Sequence, residues 1–169
     1  MKKIKNKDFF VLDSYIEERE GKLYKVCLFR DRNGKAQIIS ALYNPAQYKI
    51  EDRNSLNGIT TSIEKGFSYS MDKIKENVER PDDASRFVRQ LQSYAEKLVK
   101  TFAKFNKQLN DDEVESMTTN KLMDLMAQYF SDGLDENGEK TLDLIAQKTT
   151  NKVLKNAIIY YLSDEISRE

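Results

Sequence analysis

Apolar residues recur at alternating spacings of four and three positions between Pro81 and Leu109. The members of this seam are Ala84, Val88, Leu91, Ala95, Leu98, Phe102, Phe105 and Leu109. This repeat is typical of a helix with one apolar face. Pro81 suits a first helical turn, and acidic residues directly after it complement the positive end of the helix dipole. The pattern therefore predicts one long helix over about 81–109, against which the rest of the chain packs.

The N-terminal part of the chain contains aromatic and β-branched runs that are typical of strands. These runs occupy residues 8–18, 22–30 and 35–43, and the dipeptide Asn33-Gly34 between the last two is a strong hairpin signal. Successive residues such as Phe9 and Phe10 place apolar side chains on both faces of this meander. We therefore expect a sheet that is either curled into a barrel capped by a helix, or placed between helices and a partner.

Residues 59–71 fit two periodicities. Alternation on either side of Gly66 favours a hairpin, whereas the residues Ile59, Ile63, Phe67, Met71, Ile74 and Val78 also recur at helical spacings. Because Thr, Ser and Gly disfavour a helix at the start of this stretch, the hairpin is preferred, followed by a short helix over 72–79. A hairpin here gives a strand order that resembles an OB-type barrel.

Amphipathic segments continue after the long helix. Asn110 and the acidic residues after it are expected to cap a short turn that ends near Met117, and Thr119 is expected to cap the next helix. A turn over 135–138 precedes a short helix over 139–148, and the last helix is expected to start at Thr150 or Asn151. Together with the long helix, these segments predict a helical bundle.

The predicted fold class is thus α+β, with an antiparallel meander of three to five strands followed by a helical bundle. The only plausible boundary is Arg80-Pro81, which divides a β module (1–79) from a helical module (80–169). With 169 residues, the chain allows one domain or two small ones that share a core. We expect the two modules to pack together as one globular unit.

The amino-acid composition limits the kinds of catalytic and metal-binding site that we expect in this protein. The chain has no histidine, which removes the commonest general base and metal ligand, and Cys27 is the single cysteine. No segment matches a phosphate-binding loop, a nucleophile motif or an EF-hand, so neither a catalytic residue, a metal nor a cofactor is predicted. The sequence has no apolar run long enough to cross a membrane and no secretory signal, so the expected location is the cytoplasm.

The net charge is zero, but the basic and acidic residues are unevenly distributed along the chain. Residues 1–110 contain 22 basic and 15 acidic residues, whereas residues 111–169 contain 6 basic and 13 acidic ones. On the predicted long helix, basic residues lie on the side away from the seam, at Arg86, Lys97, Lys100, Lys104 and Lys107, with Arg89 nearby. Such a row can hold phosphates. A solvated outer face, or attraction between the two halves of the chain, explains the same pattern.

Tyrosines provide a second candidate feature. Aromatic residues on a small sheet can stack unpaired bases, and a tyrosine tolerates a partly wet position. The candidates are Tyr15, Tyr24, Tyr43 and Tyr48. Core packing explains the neighbouring phenylalanines better.

These features favour a small non-enzymatic binding protein with single-stranded nucleic acid as its preferred ligand. The alternative is a protein-binding inhibitor, regulator or assembly factor that acts through its helical half, and an unrecognised enzyme comes third. The protein is expected to be a monomer, or a homodimer through the 81–109 helix, without a membrane partner.

Overall fold

A computed structural model describes residues 11–30, 35–42 and 53–167 of the protein. These residues form a three-stranded sheet followed by five helices. The elements are β1 (Val11–Arg19), β2 (Lys22–Arg30), β3 (Ala36–Leu42), α1 (Arg53–Glu76), α2 (Pro81–Phe105), α3 (Asp111–Tyr129), α4 (Glu136–Lys148) and α5 (Lys152–Ser167). The predicted α+β class is confirmed. Within the described ranges, each helix is too short or too polar to cross a lipid bilayer.

The sheet is an antiparallel meander in the order β1-β2-β3, as predicted. Glu20 and Gly21 form the two-residue loop between β1 and β2, with φ angles of 52° and 79°. Positive φ at both loop residues matches the right-handed twist of the paired strands, which explains a tight hairpin at this point. The predicted Asn33-Gly34 turn and residues 8–10 lie outside the described residues.

One face of the sheet packs against α5. Cys27 is fully buried and hydrogen-bonded to Ser163, and the ammonium group of Lys25 pairs with the carboxylate of Asp164. Phe29 joins Cys27 in the main hydrophobic core, to which all five helices contribute residues. The opposite face holds the buried Val26 in its centre.

Residues 59–71 are helical, so the predicted hairpin is wrong. Leu56, Ile63, Phe67, Met71 and Ile74 form a continuous buried stripe along α1. The packing of this stripe against α2 outweighs the weak helix propensity of the Thr, Ser and Gly residues nearby. The short helix predicted over 72–79 is the end of α1, and 24 residues of the predicted β module (1–79) are helical. The OB-type strand order, which required strands in this region, is not confirmed.

The seam of α2 is buried. All seven of its members within α2 are 8% exposed or less, and Phe87 is buried beside them. Leu109 is half-buried and follows the end of the helix at Phe105. Helix α2 contacts each of the other four helices, but α1, with 24 residues, is nearly as long as α2 with 25. The helical part of the chain therefore has two long helices side by side.

Helix α3 is longer than predicted. The Asn110 side chain accepts a hydrogen bond from the Glu113 backbone N–H at 2.8 Å, and the Glu113 carboxylate accepts one from the Asn110 N–H at 3.3 Å. This reciprocal capping box starts one continuous helix rather than a short turn. Thr119 is not a cap, because it lies inside α3 and its hydroxyl donates to the Glu115 carbonyl at 2.8 Å.

The last two helices start at polar caps. Asp135 accepts a hydrogen bond from the Gly138 N–H at 2.7 Å, so α4 begins at Glu136 and includes the residues predicted as a turn. Asn151 accepts one from the Leu154 N–H at 2.9 Å, which confirms the predicted start of α5. The predicted boundary Arg80-Pro81 lies between α1 and α2, two helices that pack on each other. The division into modules stays a prediction.

Candidate functional site

The predicted sheet tyrosines are only partly described. Tyr15 pairs with Val26, and Tyr24 pairs with Glu17, so the two tyrosines share one face of the sheet. Tyr15 is 48% exposed, and the guanidinium carbon of Arg19 lies 4.9 Å from the centre of the half-buried Tyr24 ring. Tyr43 and Tyr48 lie outside the described residues.

The predicted basic residues form a narrow row on α2. Arg86, Arg89, Lys97, Lys100 and Lys104, hereafter the basic stripe, are all exposed. At about 100° per residue they fall within an arc of about 80°, opposite the buried seam. The stripe is about 27 Å long at ~1.5 Å per residue. Lys107 is also exposed, just beyond the end of α2.

The sheet tyrosines and the basic stripe lie in different parts of the molecule. Strands β1 and β2 pack against α5, and β3 packs against α3, whereas α2 is not a main neighbour of any described strand. Among the described residues, Tyr15 and Tyr24 therefore lie on strands that do not pack closely on α2.

Among the described residues, the basic stripe forms no ion pair with the acidic half of the chain. In the described residues, ion pairs between the two halves join Lys25 to Asp164, Lys75 to Asp135, Lys121 to Glu64, Lys140 to Glu79 and Lys148 to Asp82. Three of these five place the basic residue in the acidic half. Within the same described ranges, no stripe residue forms an ion pair. The direct ion pairs between the two halves that the structure describes therefore do not involve the stripe.

An exposed tyrosine lies next to one end of the stripe. Tyr69 of α1 is 54% exposed, and its ring meets the Phe87 ring edge-on at 6.3 Å. The Lys73 ammonium lies 5.6 Å from the centre of the Tyr69 ring, and the Arg86 guanidinium lies 4.6 Å from that of Phe87. As part of the predicted hairpin, Tyr69 was not expected near α2. The helical spacing of Ile59 to Val78 was the signal that could have placed it there.

A groove of about 360 Å³ opens between α1 and α2 along the stripe. Its lining residues are Ile59, Ser62, Ile63, Tyr94, Lys97, Lys100 and Thr101. This lining brings together two of the predicted lysines and contains two hydroxyls, a phenol and no acidic side chain. The Lys97 ammonium lies 5.3 Å from the centre of the Tyr94 ring. Such a lining favours an anionic ligand.

The absence of a side chain at Gly66 leaves room for the Tyr94 ring. A Cβ atom at Gly66 would lie 2.3 Å from the Tyr94 hydroxyl oxygen, which is far inside van der Waals contact. A glycine within a helix costs about 1 kcal/mol relative to alanine. Here it lets the tyrosine lie directly against the α1 backbone.

A second groove, of about 310 Å³, lies on the other side of the α1–α2 pair, where α3 joins them. Leu56, Phe102, Met117 and Met123 make most of its lining apolar. The Lys121 ammonium at its rim pairs with Glu64 at 2.8 Å. Burial raises the pKa of Asp124 at the same rim, and Lys121 partly opposes this shift.

Cys27, the single cysteine of the chain, is buried. Cys27 lies under α5, and burial raises the pKa of its thiol above its ordinary value, an effect that the hydrogen bond to Ser163 and the charge of Lys25 only partly reduce. Burial also raises the pKa of Tyr160, which lies near the thiol. Across residues 11–30, 35–42 and 53–167, side chains of the metal-binding types do not gather in groups of three or more.

Comparison with known proteins gives no relative: neither a protein-family model, nor a curated protein, nor a solved structure matches this chain significantly.

Proposed function

We propose that the protein binds single-stranded nucleic acid along the α1–α2 face. The observation that carries this proposal is the basic stripe, five exposed cations in one row that have no acidic partner among the described residues. Cations that track a phosphate backbone supply most of the affinity of sequence-independent binding, through the release of counterions. The location differs from the tyrosine-rich sheet face that the sequence favours, because the stripe lies on the helical pair.

Aromatic side chains next to the stripe support a single strand over a duplex. Unpaired bases stack on exposed rings, whereas the bases of a duplex are already stacked. Tyr69 offers an exposed ring beside Arg86. Tyr94, which is half-buried, lies seven residues after the buried Phe87 on the same side of α2, so a second aromatic ring lies next to the stripe.

The test is the salt dependence of binding to a labelled single-stranded 30-mer. Each phosphate contact contributes about −0.7 to the slope of log K against log salt. The triple variant Lys97→Glu, Lys100→Glu, Lys104→Glu should therefore bind more weakly and lose about 2 from the slope.

A matched control separates local contacts from net charge. Lys22, Lys140 and Lys152 are exposed and lie on other elements, so reversing all three changes the net charge by the same amount. The control variant should keep the slope of the original protein to within about 0.7, one phosphate contact. An equal loss of slope in both triple variants would contradict binding along the stripe.

A protein partner is the second candidate, and the exposed apolar side chains of the sheet favour it. Ile38 is 65% exposed, and Ile16 and Leu23 are 46% and 44% exposed on the opposite face. Under this proposal, Ile38→Lys weakens capture of the partner, and reversal of the stripe charges changes nothing. The helical half, expected to act in partner binding, has fewer exposed large apolar residues among those described, namely Ile59 and Tyr69.

A further inference from the structure

We propose that the groove between α1 and α2 is a phosphate subsite, in which one phosphoryl group lies between the ammonium groups of Lys97 and Lys100. The inference rests on the proposed function and names the part of the ligand that this groove holds. The subsite includes the hydroxyls of Ser62 and Thr101, which line the same groove.

The donor set fits a phosphoryl group. Two ammonium groups and two hydroxyls surround a space of about 360 Å³, within the usual range for small-ligand pockets. None of these four side chains has a hydrogen-bond or ion-pair partner in the described part of the chain. Phosphate oxygens accept several hydrogen bonds at once, and charge-assisted bonds from lysine are the stronger ones. A ligand with a phosphoryl group can therefore use donors that the protein itself leaves open to solvent.

The electrostatic surroundings favour the same ligand. The nearest acidic residue on α1, Glu64, is already paired with Lys121 at 2.8 Å in the direction of α3. The groove lining has two positive charges and no negative one. A cation or a neutral apolar molecule would leave both ammonium groups without a counter-charge.

Tyr94 and Gly66 act as positioning residues. The Tyr94 ring lies 5.3 Å from the Lys97 ammonium, and a cation over a ring face at this distance is attracted to it. Because Gly66 has no side chain, the ring lies against α1 and holds Lys97 at the mouth of the groove. Tyr94 thus acts through Lys97 and does not need to contact the phosphate.

The experiment follows the lysine side-chain ¹⁵N signals of the full chain during titration with inorganic phosphate, thymidine 5′-monophosphate and the single-stranded 30-mer. Sodium chloride at matched ionic strength is the control titrant. The signals of Lys97 and Lys100 should shift and saturate with phosphate, whereas those of the exposed Lys152 should not. Lys100→Met should weaken phosphate binding about two- to fivefold, as expected for an exposed ion pair.

Two substitutions at Tyr94 test the positioning role. Tyr94→Phe keeps the ring and should bind phosphate like the original protein, whereas Tyr94→Leu should weaken binding to the same extent as Lys100→Met. Thermal unfolding of both variants verifies that they fold. Equal binding by the Leu variant with a folded structure would overturn the role of Tyr94.

The titrants also separate the possible sources of the phosphoryl group. If the 30-mer shifts the ¹⁵N signals of Lys97 and Lys100 and phosphate competes with it, the subsite holds a backbone phosphodiester. If only the free phosphate and the monophosphate move them, the subsite holds a small phosphate ligand, and the proposed single-strand binding fails while the subsite stands. If the 30-mer binds but no titrant moves these two signals, the subsite is wrong and the broader proposal survives.

Discussion

At the scale of single residues, Tyr69 and Tyr15 provide a direct comparison. Both rings are about half exposed, but Tyr69 lies beside the basic stripe and Tyr15 lies on the sheet. Tyr69→Ala should weaken binding of the 30-mer by about 1–3 kcal/mol, the usual effect of a lost base stack, and leave the salt slope unchanged. Tyr15→Ala should change neither quantity, as measured by fluorescence anisotropy.

If Tyr15→Ala weakened binding of the 30-mer and Tyr69→Ala did not, the bases would stack on the sheet, as the sequence pattern predicts. The amino-acid composition shows without any structure that tyrosines are abundant. Which tyrosine lies near the cations depends on how α1 pairs with α2. A contact such as that between Tyr69 and Phe87, 18 positions apart, is a property of the tertiary structure alone.

At the scale of elements, α2 was predictable because its apolar residues fit only one period. Residues 59–71 fit two periods, and their Thr, Ser and Gly residues favour the wrong one locally. Their conformation is decided by the burial of Phe67 and Met71 against α2, a long-range effect that a local pattern does not contain. The same limit applies to Thr119, which has the chemistry of a cap but lies in the middle of α3.

The buried seam of α2 predicts a specific loss of stability. Leu98 is 0% exposed, so Leu98→Ala should lower the free energy of unfolding by about 2–5 kcal/mol, because it removes apolar contacts and leaves a cavity. Glu96→Ala, at an exposed position of the same helix, should change it by less than about 0.5 kcal/mol. Urea denaturation measures both, and a loss below roughly 1 kcal/mol for Leu98→Ala would contradict the packing of the seam inside the chain.

At the scale of the whole molecule, the later helices cover surfaces that the first half cannot cover alone. Helix α5 covers Cys27 and Phe29 of the sheet, and α3 packs against α2. A fragment of residues 1–110 should therefore be insoluble or should unfold without cooperativity, whereas the full chain should unfold cooperatively. Gel filtration with light scattering and thermal unfolding test this. A soluble, monomeric and cooperative fragment would show that the chain contains two independent domains.

The same light-scattering experiment tests the predicted oligomeric state. The seam of α2 is buried by other helices of the same chain, so a dimer through this seam would require these helices to move apart. A mass that stays at 19.7 kDa over a range of concentrations is the expected result. A mass that rises with concentration would indicate that another surface, such as the sheet with its exposed Ile38, pairs two copies.

Binding of the unmodified protein to a labelled single-stranded 30-mer tests the central claim most directly. Fluorescence anisotropy should detect binding at about 50 mM salt, where such electrostatic affinity is strong, and affinity should fall as salt increases to about 200 mM. With three to five phosphates held by the basic stripe, the slope of log K against log salt should be about −2 to −3.5. The absence of detectable binding at about 50 mM salt would contradict single-strand binding and favour a protein partner.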